Sequence, residues 1–138
     1  MTIPPNQPPS PPSGGVPPQP PYGGGAQPSQ PLNPADEKLW ATLIHVGGIF
    51  FNFIPALIGY LVLKDRGPFV RAHTATALNF QLTLLIAEVV GWLTSWLIIG
   101  LFIVAAAYVL RIVFSIIAAL KANKGEWYTY PLAIKFVS

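Results

Sequence analysis

Two charged side chains stand alone in the most apolar stretch of the sequence. Between Ala77 and Leu120 only Glu88 and Arg111 carry formal charge. An isolated charge in apolar surroundings is costly, so such groups pair with one another or serve a function. Thr74, Gln81, Glu88 and Ser95 recur at intervals of seven. On a helix this spacing makes one narrow polar stripe, with Asn79 and Thr83 on a neighbouring face. A stripe of this kind bonds to other helices or lines a path for protons or ions. Helix–helix bonding is the simpler expectation, and a buried Glu88–Arg111 pair is expected within it.

Other chemistries find little support. His45 and His73 lie in different segments, with no carboxylate or cysteine at ligand spacing, so no metal site is expected. The absence of cysteine excludes disulfides and thiol catalysis. Catalytic carboxylates usually come in pairs, and Glu88 has no second carboxylate nearby. No G-x-S-x-G, phosphate-binding loop or H-E-x-x-H pattern is present. The chain reads as a non-enzyme without a cofactor.

The elements that position these residues follow from length. A single helix over residues 77–120 would run about 65 Å, twice the thickness of a hydrocarbon core. The segment must therefore fold back, and the best turn lies near Thr94–Gly100. Such a hairpin makes Glu88 and Arg111 nearly equidistant from the turn, since their midpoint falls between Ile99 and Gly100. Upstream, residues 39–63 hold no formal charge if His45 is neutral. That run is long enough to span, with a kink near Phe51–Asn52 ahead of Pro55 and Asn52 capping its second half. Gly47 and Gly48 offer a close-approach surface. The expected fold is an all-α membrane protein with three transmembrane helices, about 39–63, 75–97 and 100–121, the last two a tight hairpin. The competing arrangement makes residues 39–63 a re-entrant hairpin.

Composition agrees with a bilayer. Hydrophobic residues make up 52% of the chain and charged residues 9%, against roughly 25% charged in a soluble domain. Residues 1–35 hold thirteen of the sixteen prolines and no charged side chain. They read as a disordered Pro/Gly-rich tail, able to present short proline motifs, ahead of an integral helical domain at 36–138. Lys64, Arg66, Arg71, Lys121, Lys124 and Lys135 fall on one side of a three-span arrangement and Lys38 on the other. The positive-inside rule then puts the tail outside. These basic residues sit beside apolar runs, which suits anionic lipid and not nucleic acid. Trp127, Tyr128 and Tyr130 are expected at headgroup level.

Several stretches carry a family likeness: LWATLIHVGGIF, then IPALIGYLVLKDRGPFVRAHTATALNFQLT, then GEWYTYP. Lys64, Asp65, Val70, Arg71, His73, Ala77, Leu78, Asn79, Phe80 and Gln81 form its most specific part. The pattern resembles the Tic20-like family of small membrane proteins, also described as domain of unknown function 4870, over about residues 36–133. Within it His73, Asn79, Phe80 and Gln81 read as a structural motif that fixes the start of the second span. The resemblance implies a helper in membrane-protein handling. Two function classes follow. One is a non-enzymatic scaffold or accessory subunit of the cell membrane, working through helix contacts with a second copy or another membrane protein. The other is an oligomeric channel or transporter component lined by the polar stripe.

Overall fold

The computed structural model describes residues 30–138. Residues 1–29, most of the expected tail, lie outside the described residues. Four α-helices follow one another: α1 (Pro34–Phe51), α2 (Ile54–Leu63), α3 (Pro68–Leu93) and α4 (Ile99–Asn123), with a short 3-10 turn at Ser95–Leu97 between the last two. No strand occurs among the described residues.

The start of α1 is written locally. The Asn33 side chain accepts from the Asp36 amide at 2.8 Å, Pro34 occupies the first turn, and Asp36 and Glu37 sit on the positive end of the helix dipole.

The run 39–63 is not one spanning helix. It breaks at Asn52–Phe53 and reverses. Ile44 and Gly59 would lie about 22 Å apart on a straight helix. Instead a Cβ on Gly59 would come within 2.5 Å of Ile44 Cδ1. At the open end the Leu32 amide donates to the Arg66 carbonyl at 2.6 Å. Both ends of the α1–α2 hairpin therefore lie together, as in the competing arrangement. Pro55 explains the break, since it lacks the N–H that a continuing helix would need. Asn52 takes the reversal at φ 55°, a left-handed value that Asn tolerates better than most residues. Its side chain does not cap α2, which has no side-chain cap.

The second reversal falls near the expected turn. α3 begins at Pro68, earlier than expected, and ends at Leu93 instead of continuing to residue 97. Gly91 and Gly100 face one another there, and a Cβ on Gly100 would strike the Gly91 carbonyl. Among the described residues only α3 and α4 are long and apolar enough to cross a membrane by length and composition.

The hairpin changes the charge pattern. Glu37 at the start of α1 accepts from the Val70 amide at 2.9 Å, and Lys38 lies against Gly125 beyond α4. Lys38 thus shares one end of the bundle with Lys64, Arg66, Arg71, Lys121 and Lys124, so the count of six against one disappears. The C-terminal segment folds back onto α3. Asn79 accepts from the Phe136 and Val137 amides at 2.7 and 2.8 Å and donates to the Val137 carbonyl at 2.8 Å. Tyr130 is buried with its ring stacked on Phe80 at 4.0 Å. Trp92, Leu93, Phe102, Val109, Ile112 and Leu120 are exposed. The molecule is apolar outside and carries buried polar groups within an apolar core.

Candidate functional site

The interior polar groups form two strings. The first begins at the tip of the α1–α2 hairpin, where Asn52 Nδ2 donates to Glu88 Oε2 at 3.4 Å. Glu88 Oε1 pairs with Arg111 Nη2 at 2.6 Å across the α3–α4 seam. Arg111 Nε donates to Gln81 Oε1 at 3.0 Å, and Gln81 Nε2 reaches Ser115 Oγ at 3.4 Å. Helical spacing brings these groups together. Gln81 and Glu88 are seven apart on α3, and Arg111 and Ser115 are four apart on α4, so each pair shares a face. Gly48 makes the room, since a Cβ there would lie 2.6 Å from Gln81 Nε2.

A second buried string joins the C-terminal segment to α1 and α3. Tyr130 lies 2.9 Å from His45 Nδ1, His45 Nε2 lies 2.9 Å from His73 Nδ1, and His73 Nε2 lies 2.9 Å from the Glu126 carbonyl. The last contact fixes every direction. A carbonyl only accepts, so His73 Nε2 carries the hydrogen. A neutral His73 then accepts at Nδ1, which puts the His45 hydrogen on Nε2. His45 Nδ1 in turn accepts from Tyr130. Burial pushes the Tyr130 phenol above its ordinary range, so the ring keeps its hydroxyl hydrogen. Donors in this second string point uniformly from Tyr130 toward Glu126.

Burial is nearly complete. His45, His73, Gln81 and Ser115 are at most 1% exposed, Arg111 and Tyr130 3% and Glu88 6%. At the far end Glu126 reaches the surface, where Lys121 Nζ bonds its carboxylate at 2.5 Å and holds it below the usual range. The deep end is not fully satisfied. Glu88 Oε1 and Arg111 Nη2 have only their mutual ion pair at 2.6 Å, and Asn52 Oδ1 has no hydrogen-bond partner among protein atoms. All three sit at one place.

The expected site residues are thus distributed. Glu88, Arg111 and Gln81 lie in the first string. Thr74 is buried, and its hydroxyl donates to the Arg71 carbonyl at 2.9 Å. Ser95 lies past the end of α3 in the 3-10 turn, so the stripe is three residues on one helix. His73 bonds α1 and the C-terminal backbone, Asn79 anchors the C-terminal segment, and Phe80 stacks on Tyr130. His45, Tyr130, Ser115 and Asn52 were not among the expected site residues. His45 was the readable signal, because it is the one polar side chain between Thr42 and Asn52. No cluster of three or more metal-ligating side chains occurs among the described residues.

An apolar exterior, two helices of spanning length and two buried polar strings define a small all-helical membrane protein. The chain belongs to the MamF/MmsF family, described as the magnetosome magnetite crystal formation protein family, whose model matches residues 36–137. This corrects the Tic20-like resemblance. Of the residues that carried it, Val70, His73, Ala77, Leu78, Asn79, Phe80 and Gln81 are buried. They record how a small polar-cored bundle packs, and that demand is not specific to import proteins. No curated relative and no solved structure matches the chain.

Proposed function

We propose that this chain is a non-enzymatic accessory protein of a membrane at which magnetite crystals form. The observation that carries this reading is the family match over residues 36–137, which takes in all four helices and both polar strings. The apolar exterior supports residence in a bilayer, with α3 and α4 crossing it and the α1–α2 hairpin entering and returning. The clustered basic residues favour a cytoplasmic position for the end that holds Lys38, Arg66 and Lys124. Its contacts with crystal-forming partners would run through the exposed helix faces.

An oligomeric channel lined by the α3 stripe is the poorer reading. Thr74, Gln81 and Glu88 are buried within one copy, so they are not available to line a path between copies.

The test is deletion and complementation in a magnetite-forming host. Loss of the protein should alter crystal size or number, restored by the full chain, and tagged protein should fractionate with the crystal-bearing membranes. Unchanged crystals together with a tag confined to other membranes would sink the proposal.

A further inference from the structure

The covering of the α3–α4 hairpin stops partway along it. Near the start of α3, Glu37 of α1 bonds the Val70 amide, and a Cβ on Gly59 of α2 would lie 3.4 Å from Thr74 Cγ2. Further along, Gly48 of α1 lies beside Gln81. The C-terminal segment dips to a similar depth and returns. Its Tyr130 and Ile134 amides donate to the Thr76 and Thr83 hydroxyls at 3.3 and 2.9 Å. Its Phe136 amide is back at Asn79, and its Ser138 carbonyl oxygen accepts from Arg71 Nε at 3.3 Å. Among the described residues, the deepest hydrogen bond from either piece to α3 runs from Asn52 to Glu88, whose side chain leans back toward the start of its helix.

Beyond Glu88, α3 and α4 pack on each other at Gly91, Gly100 and Val104. Around them Val89, Trp92, Leu93, Trp96, Ile98 and Phe102 are each at least 50% exposed. Val70 and Thr83 lie about 20 Å apart along α3, and about 15 Å of the helix remains between Thr83 and its end at Leu93. Together they match a hydrocarbon core of about 30 Å and its margin. The molecule is therefore tapered. Four helices and a folded-back segment fill the basic end, and two helices fill the other.

A tapered molecule displaces more lipid from one leaflet than from the other. In a flat membrane the two leaflets have equal areas, so the narrow end is left poorly filled. Where the membrane curves, the convex leaflet has the larger area and the mismatch is relieved. Elements confined to one leaflet are sensitive to curvature for this kind of reason. We propose that this protein is a wedge that favours curved membrane with its basic end in the convex leaflet. Its partner is then a curved lipid surface, and the α1–α2 hairpin and the C-terminal segment together are what recognise it. This inference rests on the bilayer residence proposed above and not on the crystal-forming role.

Orientation in vesicles of two sizes tests it. Asn123 is exposed at the basic end of α4, and the chain has no cysteine. The full chain with Asn123→Cys carries a nitrobenzoxadiazole dye there. It is inserted from detergent into preformed phosphatidylcholine vesicles, one batch sonicated to small diameter and one extruded to large diameter. This lipid has no net charge, so lipid charge does not orient the basic end. Any bias from the insertion itself is common to both sizes. Dithionite added outside bleaches only outward-facing dye. The expected result is a larger outward share in the small vesicles than in the large ones. Equal shares at both sizes, or a smaller outward share in the small vesicles, overturn the wedge. Flotation of both batches comes first. Protein that fails to float overturns bilayer residence and the wedge with it, whereas floating protein with equal shares overturns the wedge alone.

Discussion

Glu88 Oε1 lies 2.6 Å from Arg111 Nη2, in the seam where α3 and α4 run back from their shared turn. Both groups are buried, and each makes a further side-chain hydrogen bond, Glu88 with Asn52 and Arg111 with Gln81. Removing one charge leaves the other in an apolar setting. Glu88→Leu and Arg111→Leu should each cost about 3–5 kcal/mol, the usual penalty for breaking a buried pair. The double change removes both charges and should recover much of the folded yield. A double-mutant cycle on melts in detergent measures this. Additive losses would mean that the two side chains are not coupled.

The α3–α4 hairpin was legible because the chain states it twice. The apolar run is too long for one crossing, and the midpoint between its only two charges falls between Ile99 and Gly100, at the edge of the turn. The α1–α2 hairpin was harder to read. Twenty-five uncharged residues with one proline fit a kinked span and a reversal equally well by length. The choice rests on tertiary contacts, such as Ile44 against Gly59, which no local pattern announces. The His45–His73–Tyr130 cluster was hidden for the same reason: its members lie far apart in sequence. Tyr130 also sits in a segment whose aromatic residues suggested a headgroup belt.

Asn79 fastens the C-terminal segment with three hydrogen bonds to backbone groups of Phe136 and Val137. In Asn79→Leu those amides lose their acceptor, at roughly 1–3 kcal/mol for each group left buried and unpaired. Releasing the segment is the easier outcome. Hydrogen exchange should accelerate at Phe136 and Val137 while the amides of α4 keep their protection. If protection at Phe136 and Val137 survives, Asn79 is not the anchor.

The turn between α3 and α4 admits no side chain at position 100. A Cβ there meets the Gly91 carbonyl and backbone atoms of Thr94 and Ser95, none of which is a flexible side-chain end. Gly100→Ala should therefore cost at least the roughly 1–3 kcal/mol typical of overpacking. Gly47→Ala makes a useful contrast, because its Cβ would meet Pro55 side-chain atoms at 3.1 Å and needs only a small shift. A melt that ranks the two equal, or Gly47→Ala worse, would contradict the close approach of Gly91 and Gly100.

The last prediction concerns sidedness. Leu32 bonds to Arg66, Glu37 bonds to the Val70 amide, and Arg71 and Tyr60 both donate to the Ser138 carbonyl oxygen. Three distant parts of the chain therefore meet at one end of the bundle. Reporter fusions after Gln30, within the loop at Gly67 and after Ser138 should all report the same side of the membrane. The basic residues at this end make that side the cytoplasmic one. If residues 39–63 instead crossed the bilayer once, Gln30 would report the side opposite Gly67. The Asn52–Glu88 contact would then be lost, since Asn52 would no longer sit at the tip of a returning hairpin. A disulfide formed between cysteines placed at positions 44 and 59 of this cysteine-free chain gives a second readout. It forms within one molecule only if α1 and α2 lie side by side. Opposite reporter signals together with no such crosslink would refute the hairpin.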